Sequence, residues 1–337
     1  MRVVDNRGLL LRVRDPQKII TAIPNSRSLG DHNVLVKWGV DESRVLRNLN
    51  VRDVPSPILG KYDWAGKYEP FEHQKTTASF LTMNRRAFCF NEQGTGKTGS
   101  AIWASDFLMK EGLIQRVLVI CPLSIMDSAW RGDLFNFAMH RSVDIAYGPR
   151  KKRAEIINGN AEYIIINYDG VEIVRDEIAN GGFDLIIVDE ANHYKNSQSK
   201  RWKILNALLT PDTWLWMMTG TPAAQSPVDA YGIAKLVNPK SVPRFFGAFR
   251  EMVMYKVTNF KWVPKPNAKD TAFNALQPAI RFTKEQCLDL PEMTYVKREV
   301  ELTSQQKKYY KELKNEMVSV AAGEQITAVN AAVNMNK

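Results

Sequence analysis

RAFCFNEQGTGKT, residues 86–98, reads as a short apolar strand, a glycine turn and the first turn of a helix. Gly94 and Gly96 allow the backbone a positive φ and a close approach to an anion, so that successive N–H groups and the following helix dipole aim at one spot. With Gln93, Thr95 and the two glycines as cradle, Lys97 would reach the β- and γ-phosphates of a nucleotide and Thr98 would hold Mg²⁺. Asn91 stands where the general P-loop pattern has its first glycine. Read alone, the stretch is therefore also compatible with a glycine turn that carries a surface lysine.

The second half of the site is DLIIVDEAN, residues 184–192. An apolar run of strand length ends in two adjacent carboxylates, and strands buried in a parallel sheet deliver such residues to the carboxyl edge, where phosphates bind. Asp189 can hold Mg²⁺, directly or through water, and Glu190 can act as general base on an attacking water. Acidic pairs at strand ends also cap helices. The P-loop and the acid pair together, in this order and both at strand ends, make a nucleotide site the stronger reading.

A chain of 337 residues has room for two domains, and 45% hydrophobic with 24% charged residues is ordinary for a globular protein. The formal net charge of +10 favours a polyanionic partner, although solubility alone can also account for it. None of the three cysteines falls in a C-x-x-C spacing. Cys89 and Cys121 lie in apolar runs, as buried thiols of a reducing compartment do. The amino terminus lacks an apolar leader and no run is long enough to cross a bilayer, so a cytoplasmic protein without membrane contact is expected.

Outward from the P-loop, strands are expected at 117–121, 143–147, 163–167, 184–188 and 214–218. Helices are expected at 70–82, 97–110, 124–137 and 199–209, with a short one opening on the basic cluster Arg150 to Arg153. Strand and helix alternate, and the natural solution is a mostly parallel sheet covered on both faces: an α/β fold. Ahead of it, residues 1–58 carry short alternating runs and a helix expected at 41–49, capped by Asp41, before VPSPI (54–58) breaks all periodicity. This predicts a small β-rich α+β domain at 1–58. Residues 240–282 are rich in aromatic and basic groups; beyond them a strand is expected at 295–300 and helices at 303–313 and 326–333.

Taken in order, Gln74, NEQGTGKT (91–98), CPLS (121–124), NY (167–168), DEANHYKN (189–196) and TGTPAAQ (219–225) resemble the first RecA-like lobe of the Swi/Snf family of helicase-related, DNA-translocating ATPases. The resemblance implies an ATP-binding lobe over 59–282 and, at 283–337, an incomplete crossing into a second RecA-like lobe. It implies adenine reading by Gln74 with Phe71 nearby, and ATP with Mg²⁺ as cofactors. Lys97, Asp189 and Glu190 become catalytic groups, and Thr98 with Asp189 the metal ligands. Pro122, Leu123, Ser124, Asn167 and Tyr168 fall in segments that contact the DNA backbone, a task suited to groups that bond phosphate without reading sequence. Asn192, Thr219, Gly220, Thr221 and Gln225 fall in the segments that couple nucleotide state to the DNA track. The family usually has histidine where this chain has Asn192, and His193 follows one place later.

The implied function is an ATP-driven motor on double-stranded or branched DNA, with weak turnover expected until a second lobe supplies the arginines that reach the γ-phosphate. The first 58 residues resemble the small accessory domain of compact members of the family, bacteriophage-encoded ones among them; substrate recognition and a folding appendage both stay open for it, and a viral source would make the compartment the host cytoplasm. Two other readings stay open: a nucleotide-regulated nucleic-acid-binding scaffold without motor activity, and an RNA helicase of the same superfamily.

Overall fold

Apolar alternation in the first 37 residues folds into an antiparallel sheet of β1 (Arg2–Val4), β2 (Gly8–Arg12), β3 (Arg27–Ser28) and β4 (Asn33–Lys37), ordered β1-β2-β4-β3. The structure is a computed structural model and describes residues 1–223, 225–258, 261–287, 300–316, 318–321 and 324–327. Leu9, Leu11, Val34 and Val36 share one face of the sheet and close a small core with Ile19, Ile23 and Leu46. Ile19 comes from a helix, Pro16–Ala22, whose Asp15 cap accepts from Lys18 N and whose first position is proline. The next helix, Val40–Asn48, is capped at Gly39 and not at Asp41. Asp41 instead occupies the first turn, where a carboxylate suits the helix dipole.

The rest of the first unit is built on β5 (Arg86–Cys89), β6 (Val117–Cys121), β7 (Val143–Ile145), β8 (Tyr163–Asn167), β9 (Leu185–Val188) and β10 (Trp214–Met218). After a hairpin of β11 (Met254–Lys256) and β12 (Trp262–Pro264), the short β13 (Ala279–Ile280) joins the same sheet beyond β5. The order is β13-β5-β10-β9-β6-β8-β7, every pairing is parallel, and all seven carboxyl ends therefore lie on one edge. Alternate residues enter different cores: Leu118, Ile120, Ile186 and Val188 on one face, Val119, Cys121, Leu185 and Ile187 on the other. Burial on both faces explains why these strands read as unbroken apolar runs. This is the α/β arrangement that the strand–helix alternation implies, and the RecA-like lobe that the resemblance implies.

The helix expected over 124–137 is not continuous. A 3₁₀ turn at Leu123–Ile125 and a π turn at Met126–Arg131 precede the α-helix Gly132–Phe137. The widened turn has a partner in the site, described below.

The chain divides into two compact units, Met1–Asp289 and Leu290–Lys337. Within the second lie a helix, Ser304–Glu316, and a hairpin of β14 (Val318–Ala321) and β15 (Glu324–Thr327). Ile326 and Thr327 thus belong to a strand and not to a helix, while 328–333 fall outside the described residues, as does the strand expected at 295–300 up to residue 299. Among the described residues no helix is long and apolar enough to cross a membrane.

Candidate functional site

Because β5 and β9 flank β10 in parallel, the P-loop, the acid pair and the Thr219–Thr221 segment emerge side by side. Gly94 (φ 81°) and Gly96 (φ 75°) adopt the left-handed backbone that folds the loop into a nest, and the helix Lys97–Lys110 starts directly from it. That helix is buried from Gly99 to Leu108, so its amino end is held rigidly at the sheet edge. A Cβ at Gly96 would overlap the Gln74 amide, which would have to move aside, and the positive φ there would strain any L residue. Gln74 is itself fixed, its Oε1 accepting from Phe71 N at 2.9 Å at the start of helix Glu72–Thr82. Phe71 is exposed and its ring stacks on His73, which bonds Thr95 O at 2.9 Å. Gln74, Phe71 and the nest therefore lie side by side, with Phe71 exposed and Gln74 largely buried.

Lys97 Nζ donates to Glu92 O at 3.2 Å, and Thr95 Oγ1 donates to the same carbonyl at 2.7 Å. Asn91 is fully buried: Nδ2 donates to Thr77 Oγ1 at 2.8 Å, and Oδ1 accepts from Phe282 N at 3.0 Å. The residue that departs from the P-loop pattern is thus a pin between the loop, the Gln74 helix and the segment after β13.

At the end of β9, Asp189 is 7% exposed. Its Oδ2 accepts from Trp130 Nε1 at 3.0 Å and its Oδ1 from Glu190 N at 2.9 Å. Burial raises its pKa; the Trp130 and Glu190 hydrogen bonds and the nearby Lys97 charge oppose the rise only in part. Lys97 and Asp189 are close enough to feel one another, and the buried Cys89 thiol, pushed up to about 11 mainly by burial, feels both. Glu190 sits in the left-handed region (φ 49°, ψ 58°), a strained backbone for glutamate. Its Oε2 accepts from Thr219 Oγ1 at 3.3 Å. Asn192 completes the link, its Oδ1 accepting from Thr219 Oγ1 at 2.7 Å and its Nδ2 donating to Thr221 Oγ1 at 3.3 Å. A Cβ on Gly220 would lie 3.4 Å from Gln93 N, so this segment passes directly beside the P-loop. Gln225 stands apart from the network, accepting from Lys195 Nζ at 2.8 Å.

The segments after β6 and β8 reach the same edge. Leu123 is exposed beyond Pro122 and Ser124 lies in the 3₁₀ turn with it. Tyr168, by contrast, is 8% exposed, its hydroxyl donating to Asp189 O at 2.6 Å and its ring 4.6 Å from that of His193. His193 has its pKa lowered, by burial first and then by Arg201. Asn167 Oδ1 accepts from Arg153 Nη1 at 3.0 Å. Arg153 is buried, also bonded to Ala146 O and Gly148 O, so the cluster Arg150 to Arg153 is not a uniformly solvated face. Arg150 of that cluster is paired with Glu177, and in the basic run Lys195 to Lys203, Lys195 is paired with Asp229, Lys200 with Glu172 and Arg201 with Asp169. Exposed pairs of this kind are worth ~0–1 kcal/mol, little enough for a phosphate to replace the carboxylate.

Sequence reasoning did not find Trp130, nor the segment Arg281 to Lys284 beside the P-loop. Both depend on contacts between residues far apart in the chain, and no local pattern signals them.

The chain matches the SNF2-related domain family over residues 72–336. It is 25% identical over 249 residues to the zebrafish (Danio rerio) protein named chromodomain-helicase-DNA-binding protein 1-like, covering 68% of this chain and 23% of that protein. Protein CHROMATIN REMODELING 4 of Arabidopsis thaliana is 26% identical over 72% of this chain and 11% of its own length. The chain therefore spans less than a quarter of these two relatives. In structure it is similar to the Sulfolobus solfataricus SWI2/SNF2 ATPase core solved in complex with dsDNA. The TM-score is 0.56 and the identity 22%, over 66% of this chain and 46% of that one, a likeness of fold. These proteins give no support to a bacteriophage source.

Proposed function

The chain belongs to the SNF2-related family, and from that membership and the geometry of the sheet edge we propose that it is the nucleotide-binding part of an ATP-driven motor that acts on DNA. The observation that carries the proposal is the bonded path from acid pair to coupling segment: Glu190 and Asn192 both meet the Thr219 hydroxyl, and Gly220 lies against Gln93.

The residues present fit Mg-ATP. The nest at 93–97 takes positive φ at Gly94 and Gly96, with the Gln74 amide packed against Gly96, and the carboxylate beside it is buried with both oxygens directed by donors. Among the described residues no group of three or more His, Cys, Asp or Glu could hold a metal by itself. Mg²⁺ bound through one hydroxyl, one carboxylate and substrate phosphates needs no such group. Thr98 and Asp189 would hold the metal, Lys97 and the nest amides the phosphates, and Gln74 with Phe71 the adenine. Bound Mg-ATP supplies the phosphoryl group whose transfer to water drives the motor. Glu190 orients that water and takes its proton, a carboxylate needing only hydrogen-bond reach to do so. A change in its position is felt at Thr219, and through Asn192 at Thr221.

Residues 59–282 act as the ATP-binding lobe in this reading, 1–58 as an accessory domain that recognises the DNA substrate, and 283–337 as the crossing toward a second lobe. Pro122, Leu123 and Ser124 meet the DNA backbone directly, while Asn167 and Tyr168 tie that surface to Arg153 and Asp189. An arginine brought across by a second lobe is worth ~10³–10⁵ in rate, so these 337 residues alone turn ATP over slowly. The test is ATP hydrolysis with and without duplex DNA, by this chain and by one extended past Lys337. DNA stimulation in the extended chain, lost in Lys97→Ala, is the expected result. Stimulation retained in Lys97→Ala would sink the assignment, turnover indifferent to DNA would favour a nucleotide-regulated scaffold, and stimulation by RNA alone an RNA helicase.

A further inference from the structure

Arg281 to Lys284 run alongside the P-loop, although 191 residues separate Phe282 from Asn91. Glu92 N donates to Phe282 O at 3.0 Å, and Phe282 N donates to Asn91 Oδ1 at 3.0 Å. The Glu92 carboxylate then grips the segment twice: Oε2 accepts from Lys284 N at 3.1 Å, and Oε1 lies 3.7 Å from Arg281 Nη2. The Lys284 backbone is thereby fixed next to the anion nest. Its side chain follows the loop, with Cε 3.6 Å from where a Cβ on Gly94 would stand. Both Glu92 oxygens are engaged elsewhere, Lys284 is exposed, and its ammonium has no ion-pair partner among the described residues.

We infer that Lys284 is a second cation of the polyphosphate site, reaching the phosphates of a nucleotide held in the nest, with Glu92 as the residue that positions it. The inference rests on the nucleotide reading above. A lysine ammonium is a compact charge on a flexible stem and needs no fixed geometry to meet a phosphate oxygen. Its backbone anchor matters more, because it keeps the stem beside Gly94. Lys97, which rests on Glu92 O, and Lys284, held by the Glu92 carboxylate, then approach one triphosphate through the same residue.

Calorimetric titration of Mg-ATP into the full chain at low ionic strength tests this, with inorganic tripolyphosphate as competitor. Lys284→Gln should weaken Mg-ATP about fivefold at low salt, the scale of one exposed ion pair, and that deficit should shrink as added salt screens the pair. Tripolyphosphate should compete about fivefold less well, and Lys284→Arg should bind as wild type does. Melting temperature should not move, since the side chain is exposed. Glu92→Gln should add nothing in the Lys284→Gln background if it acts by positioning that lysine; an additive loss would overturn its role. Unchanged affinity in Lys284→Gln, with binding abolished in Lys97→Ala, would overturn the inference and leave the nucleotide reading standing. Wild-type chain that binds no Mg-ATP would overturn both.

Discussion

The indole Nε1 of the fully buried Trp130 donates to Oδ2 of the largely buried Asp189 at 3.0 Å, 59 residues away in sequence. Trp130 sits in the π turn Met126–Arg131, and turns of that pitch are rare and frequently lie at functional sites. The widened turn delivers the ring to Asp189, the buried carboxylate proposed above as a metal ligand. Trp130→Phe removes the donor and keeps most of the apolar volume. A hydrogen bond to a charged group contributes about 1.5–3 kcal/mol. The Mg²⁺ concentration needed for half-maximal ATP binding should therefore rise about tenfold. An unchanged Mg²⁺ requirement would make the π turn a packing feature only.

Asp106 anchors the opposite end of the P-loop helix. It is wholly buried and accepts from Tyr62 Oη at 2.5 Å, from His140 Nε2 at 2.8 Å and from Arg141 Nε at 2.6 Å. Burial alone would raise its pKa, yet the donors Tyr62, Arg141 and His140 together hold it below the ordinary carboxylate value. A depressed folded pKa contributes stability that is present above the unfolded value and lost as pH falls through the folded one. Asp106→Asn leaves Arg141 facing a neutral amide in a largely buried site. It should cost about 3 kcal/mol at pH 7 in urea unfolding and less as the pH is lowered below 4. A loss that does not shrink with acid would mean that shape, and not charge, is what Asp106 supplies.

Asp133 behaves in the opposite sense. It lies half-buried in the first turn of the helix Gly132–Phe137, and burial pushes its carboxyl up to about 6. With the folded pKa above the unfolded one, the native state binds the proton more tightly, and stability falls as pH rises from about 4 to about 6. Partial exposure discounts the full shift to about 1 kcal/mol. Asp133→Asn should then be more stable than wild type by that amount at pH 7 and equal to it at pH 4. Equal melting curves at both values would show that solvent reaches the carboxyl freely.

Six of the seven strands of the large sheet were legible in the sequence to within a residue or two, because each is an apolar run cut off by polar or turn residues. The P-loop and acid pair were legible because phosphate and metal chemistry restricts the residue types that can serve. What escaped has a common physical cause. β13 is two residues long and exists because β5 offers it an edge. The π turn answers to Asp189, not to its own periodicity. The helix Pro16–Ala22 had both its signals, Asp15 and Pro16, yet the pair reads equally well as a turn, and the contact of Ile19 with the sheet core decides it. Arg153 shows the limit for charge: a run of four basic residues looks solvated, but one of them is buried among carbonyls supplied by the chain around β7.

Asn91 gives the most direct test of how this P-loop departs from the general pattern. Replacing it by glycine restores the familiar first position and removes two hydrogen bonds, one to Thr77 Oγ1 and one from Phe282 N. Glycine also adds backbone freedom to the unfolded chain, which disfavours folding further. The nest itself is built by Gly94, Thr95, Gly96 and Lys97, none of which needs the Asn91 side chain. The expected outcome is a separation of properties. Asn91→Gly should lose about 2 kcal/mol of stability, the cost of leaving a partly buried donor and a buried hydroxyl poorly matched. Amide exchange at Phe282 should accelerate in step, whereas Mg-ATP affinity should change by less than about threefold, a difference under 1 kcal/mol. Slow exchange at Phe282 in the variant would mean that the backbone pairing of Glu92 with Phe282 holds the segment without help. A large loss of affinity at unchanged stability would place Asn91 in the phosphate cradle and not behind it.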